Sequence, residues 1–210
     1  MSNLASLAKQ RVSGNAWRQL LLAALGWVLA IHPAGQALAD LARTFPVQGK
    51  ATYSRAHHDY PATDIFASCG SRVVSPVSGS VLEVGRVDRW DPGTDHGAAR
   101  GGKFVSLRGR DGVRYYGSHL SRVRPGIDPG DRVRAGERLG RVGRSGSARG
   151  TACHLHFGLS PVCDGTGQWW IRRGVVNPYR FLERWRSGGQ LSPAGAVTRW
   201  KQTHGCPAHP

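Results

Sequence analysis

The chain has 210 residues, 40% hydrophobic and 8% aromatic with seven Trp, enough apolar mass for one ordinary domain and too much for a disordered tail. Its formal charge of +16 attracts anionic polymers at long range. The basic residues are nevertheless dispersed, with no block of five or six and no nucleic-acid motif, so nucleic acid is not an expected partner.

The first 39 residues read as a leader. Lys9, Arg11 and Arg18 stand there without an acidic neighbour, residues 20–31 read LLLAALGWVLAI, and Ala37-Leu38-Ala39 is a small-x-small site. This layout predicts a secretory signal peptide over 1–39, cleaved after Ala39. Twelve apolar residues are short for a span, which needs about 20, and no later segment could cross a membrane. The mature chain is therefore expected to be secreted or to reside in the cell envelope, with no transmembrane span.

Residues 40–50 read as a linker and residues 51–186 as one domain. With 29 Gly and 12 Pro spread along the chain, short strands and turns are expected rather than long helices. Strands are predicted at 72–74, 79–87, 103–107 and 112–119, the last two joined by a turn at Asp111-Gly112. Very short strands separated by Gly turns follow over 129–143. A Gly/Ser loop at 145–151 then leads into Cys153-His154-Leu155-His156-Phe157-Gly158, which reads as a strand. Residues 179–186 suit a helix with Asn177 as N-cap and Pro178 at its first position. From 187 to 210, Gly, Pro and polar residues predict a loose tail. The expected fold is mainly β: a compact antiparallel sheet domain with few short helices.

Cys69, Cys153, Cys163 and Cys206 are even in number, lack CxxC spacing, and would meet an oxidising compartment after export, so disulfides are expected. Of three possible connectivities, Cys153–Cys163 is favoured, because it would close a short loop beside the His154/His156 strand.

The chemistry concentrates in a few side chains. Side chains alternate along a strand, so His154 and His156 project to one face. A catalytic zinc site commonly has three ligands from His, Asp or Glu and an open fourth position. His156, Asp64 and one of His57 or His58 could supply the three. His58 and Asp64 are six apart and would share a face of an extended segment, so His58 is chosen and His57 held as the alternative. His119 and His154 then remain to handle protons and developing charge, tasks that suit imidazoles near neutral pH. There is no HExxH, so the helical zinc-protease arrangement is absent.

These residues resemble a known family. His58…Asp64, His119 in YYGSHLS, CHLHFG at 153–158, SPVSGSV at 75–81, VRAG at 133–136 and LGRVGRSG at 139–146 are together similar to the LytM/lysostaphin-type zinc metallopeptidases, family M23. The resemblance covers roughly residues 51–160. It implies a lysostaphin-type β architecture, one Zn2+ held by His58, Asp64 and His156, and catalytic roles for His119 and His154. It further implies an endopeptidase that cuts stem peptides or cross-bridges of bacterial peptidoglycan with a zinc-activated water. Five residues separate His58 from Asp64, where the family usually has three. Peptidoglycan is the expected partner, and anionic wall polymers are a further candidate. The reading from a different class is a catalytically silent wall-binding or amidase-activator domain of the same fold.

Overall fold

A computed structural model describes residues 42–163 and 166–208, so the predicted leader lies outside the described residues. The strands are β1 (Ala51–Tyr53), β2 (Ala62–Ala67), β3 (Arg72–Val74), β4 (Gly79–Gly85), β5 (Phe104–Gly109), β6 (Val113–Ser118), β7 (Arg122–Val123), β8 (Arg132–Val133), β9 (Arg138–Arg141) and β10 (His154–Pro161). They form a seven-stranded sheet of order β1-β2-β10-β6-β5-β4-β8 and a three-stranded sheet of order β3-β9-β7. Every pairing is antiparallel. The β5–β6 hairpin turns where Asp111-Gly112 predicts it, with Gly112 at φ 77°, in the left-handed region that glycine adopts without strain. No helix among the described residues is long and apolar enough to cross a membrane.

The two sheets share one core. Ile65, Leu107, Tyr115, Leu155 and Phe157 enter it from the large sheet, Val73, Val123 and Leu139 from the small one. The helix Tyr179–Arg186 adds Phe181, Leu182 and Trp185. Its start follows the sequence expectation: Asn177 Oδ1 accepts from the Tyr179 backbone nitrogen at 2.9 Å, with Pro178 between them. β10 lies between β2 and β6 and is buried along its whole length.

Three expectations are revised. Residues 42–50 do not hang free as a linker: Arg43 and Val47 bridge to Val77 and Val73, Val47 enters the core, and Arg43 meets Asp111 at 2.8 Å. The segment read as a loose tail contains the helix Ala194–His204, with Val197 buried. The disulfides are Cys69–Cys153 and Cys163–Cys206, not Cys153–Cys163. Cys153 and Cys163 flank an extended strand of eight residues, which holds them about 30 Å apart at the rise of a strand, whereas a disulfide needs Cα atoms within about 7 Å.

Candidate active site

Leu155 and Phe157 of β10 point into the core, so alternation turns His154 and His156 to the other face. On β2, Asp64 stands directly opposite His156. The ladder therefore places a carboxylate beside an imidazole: Asp64 Oδ1 lies 2.9 Å from His156 Nδ1. The other oxygen, Oδ2, lies 3.8 Å from His154 Nε2.

The first histidine is where the structure departs from the sequence reading. Asp64 and His156 are joined by His57: ligand-capable atoms of these three side chains all lie within 4.8 Å of one another. His57 Nε2 is 3.6 Å from Asp64 Oδ2. His58 is exposed and outside this cluster, its ring 5.6 Å from that of His57. The even-spacing argument assumed an extended chain from residue 58 to 64, but β2 begins only at Ala62. Before it the backbone folds back, with the His57 nitrogen donating to the Ala62 carbonyl at 2.9 Å. That closure returns His57, not His58, to the side of Asp64.

His119 follows the last residue of β6 and has φ 64°. A histidine in the left-handed region carries backbone strain, of order 1–3 kcal/mol. Here it is held by hydrogen bonds, its nitrogen donating to the Gly101 carbonyl at 2.9 Å and its Nδ1 meeting the Ser145 carbonyl at 2.8 Å. The turn breaks the strand's alternation and brings the ring to 4.9 Å from that of His154 and 5.9 Å from that of His156. Burial, with the neighbouring imidazoles, pushes its pKa down to about 3, so the ring is neutral at physiological pH.

The donors fit a zinc ion. Two imidazoles and one carboxylate are the borderline donors of catalytic zinc sites. His156 meets acceptors at both ring nitrogens: Asp64 at Nδ1, and the Arg173 carbonyl at Nε2, 2.9 Å away. A neutral imidazole has one N–H, so donation to Arg173 leaves two lone pairs, Nδ1 and Oδ1, facing each other, and a cation there satisfies both. His57 is oriented in the same manner, its Nδ1 3.1 Å from Asp59 Oδ1. A carbonyl or carboxylate on the far nitrogen is the usual support of a metal-bound histidine. Without a metal, burial works to raise the Asp64 carboxyl, but an N–H of His156 turned to Oδ1 and the surrounding imidazoles outweigh it and hold the pKa at about 2, so the carboxylate is ionised in either tautomer.

Several supporting residues were not singled out from sequence. Tyr60 packs on His57 at 4.3 Å between centroids, and the Arg173 guanidinium lies 4.0 Å over the Tyr60 ring. Gly158 is the residue that lets Arg173 approach: a Cβ there would stand 2.1 Å from the Arg173 oxygen. Asp59, two residues after His57, was legible as a short His-x-Asp pattern. The Arg173 contact, made by a distant carbonyl, leaves no side-chain signal.

Residues 58–167 match the description Peptidase family M23, just over half of the chain. The chain belongs to peptidase family M23. Among relatives of this M23 chain, the L-Ala–D-Glu endopeptidase of Bacillus subtilis (strain 168) is 31% identical over 131 residues, covering 60% of this chain and 35% of that one. The chain thus spans little more than a third of that relative's length. Lysostaphin, the antimicrobial peptidase from Staphylococcus simulans, superposes with a TM-score of 0.51 at 24% identity, covering 74% of this chain and 58% of that one. At that identity the likeness speaks for the fold, which is the lysostaphin-type β architecture expected from the motifs.

Proposed function

We propose that this M23 peptidase is an exported, zinc-dependent endopeptidase that hydrolyses peptide bonds in bacterial peptidoglycan. The observation that carries it is the His57–Asp64–His156 cluster with His119 and His154 beside it. In this reading His57 replaces His58 as the first ligand. The substrate class is supported by the named relative, an L-Ala–D-Glu endopeptidase. A junction to a D-residue belongs to wall peptides rather than ribosomal proteins. The leader implies export, and the basic charge would hold the enzyme near anionic wall polymers.

When bound at this cluster, zinc supplies a Lewis acid and lowers the pKa of water. The chain's own residues do the rest. His154 Nδ1 lies 2.9 Å from the Ala152 carbonyl, so donation there leaves Nε2 with its lone pair on the ligand side, placed to take the proton of the attacking water. His119 donates through Nδ1 to Ser145, so its Nε2 is left as an acceptor that orients the attacking water, while the proton taken up by His154 is the one passed on to the leaving amine. Burial of both rings keeps bulk water from competing for those protons.

The test is zinc content together with release of new amino termini from purified peptidoglycan, with and without a chelator. Wild type and His58→Ala should bind one zinc and cleave, whereas His57→Ala and His156→Ala should lose both. Full zinc and cleavage in His57→Ala, with loss in His58→Ala, would restore His58 as the ligand. Wall binding without cleavage by folded, zinc-supplied wild type would make the chain the silent binding or activator domain instead.

A further inference from the structure

A second site lies at the opposite end of the large sheet. Ser80 on β4 pairs with Arg108 on β5 and with Arg132 on β8, so both arginines leave the same face of the sheet as Ser80. They stand two strand spacings apart, about 9.6 Å. Arg110 and Arg134 follow two residues on, about 6.6 Å along each wall. The four arginines line a groove of about 1150 Å³, floored by Gly79 and Ser80. Gly79 permits the close approach of β4 and β5, since a Cβ there would meet the Arg108 carbonyl oxygen at 2.1 Å.

Among the described residues the groove has no acidic group of its own to spare. Glu137 lines it, but its carboxylate is engaged 3.1 Å from Arg124 Nη2 and 3.1 Å from the Arg134 backbone nitrogen. Arg108, Arg132 and Arg134 are exposed, and their guanidinium groups make no ion pair or hydrogen bond among the described residues. Three uncompensated cations around one groove make a concentrated positive field. The site is separate from the peptidase centre. Arg108 pairs with Arg114, four residues before Ser118 on β6, and β4 lies three strands from β10. That amounts to about 13 Å along the strands and about 14 Å across them.

We propose that this groove binds a flexible phosphodiester polymer, of the poly(glycerol phosphate) kind, independently of catalysis. Guanidinium forks match phosphate oxygens, and charge carried within the polymer chain can sit between two walls about 9.6 Å apart. Nucleic acid fits less well. A duplex, whose major groove alone is about 12 Å wide, does not enter a slot of that width, and among the described residues no aromatic side chain lines the groove to stack bases. The inference does not depend on the peptidase reading, because the two sites share no residue.

The test compares the full chain with an Arg108→Gln/Arg132→Gln/Arg134→Gln variant, using a fluorescent poly(glycerol phosphate) oligomer titrated across a salt series. The variant should bind at least about tenfold more weakly at low salt, with the slope of log K against log salt reduced by about two to three. Zinc content and cleavage of a short soluble wall peptide, measured on the same samples, should be unchanged, so failure of the hydrolase reading would register separately. Equal affinity and slope in the two proteins would overturn the site. So would an oligonucleotide or polyglutamate of equal charge that binds as tightly as the phosphodiester and loses as much on mutation.

Discussion

Gly158→Ala separates the support of the proposed metal site from its proposed ligands. The new Cβ would sit 2.1 Å from the Arg173 oxygen and 2.5 Å from its carbonyl carbon. Ordinary C···O contacts begin at about 3.3 Å, so roughly 1.2 Å of movement is required. Gly158 belongs to β10, an interior strand of the large sheet, and its partner is backbone, so the shift falls on residues 173–174. The His156 Nε2–Arg173 bond, 2.9 Å in the structure, would open to about 4 Å and cease to be a hydrogen bond. Loss of such an orienting partner typically weakens metal affinity by about 10- to 100-fold. Overpacking adds about 1–3 kcal/mol of destabilisation. Zinc affinity by competition with a chromophoric chelator, alongside urea unfolding of the metal-free protein, measures the two effects separately. Wild-type zinc affinity in a folded Gly158→Ala protein would refute the claim that Arg173 orients His156.

Three further outcomes are expected. Removing the Cys69–Cys153 bridge, whose ends are 84 residues apart, should cost up to about 4.6 kcal/mol by loop-closure entropy; a urea midpoint unmoved in Cys69→Ser/Cys153→Ser would contradict this. Leu155→Ala, at a fully buried core position, should destabilise by about 2–5 kcal/mol, read by the same unfolding assay, and a loss under about 1 kcal/mol would mean the site collapses around the change. Burial works to raise the Glu83 carboxyl, but Arg172 and Arg114 outweigh it and hold its pKa below the ordinary 4.5. Its contribution is therefore present above that value and fades as pH falls through the lower folded-state pKa. Glu83→Gln should accordingly flatten the acid limb of the midpoint-against-pH curve, and an unchanged limb would exclude the pair as its source.

What could be read from sequence followed the physics of each segment. His154 and His156 were legible because alternation is a local rule, and the apolar Leu155 and Phe157 between them named the core face. The β5–β6 hairpin was legible through Asp111-Gly112, and the helix at 179–186 through Asn177-Pro178. The choice between His57 and His58 was not, because the backbone over residues 54–61 is irregular and side-chain direction there is set by the His57–Ala62 closure. The disulfides escaped for a related reason: proximity in sequence suggested Cys153–Cys163, while the extended strand between them enforces distance. The terminal helix lacks a strong apolar stripe and buries chiefly Val197, so nothing in its pattern distinguishes it from a polar tail until Cys206 fastens it to Cys163.

The placement of Asp64 and His156 on facing rungs of one antiparallel ladder bears on how such an enzyme can diversify. Their separation is fixed by main-chain hydrogen bonding in the middle of a sheet, not by the segments that surround the cleft. The loop before β5, short of the Gly101 that holds His119, can therefore vary while leaving this Asp–His pair at the same spacing. A laboratory seeking new bond preferences would randomise that loop first and keep the rungs untouched.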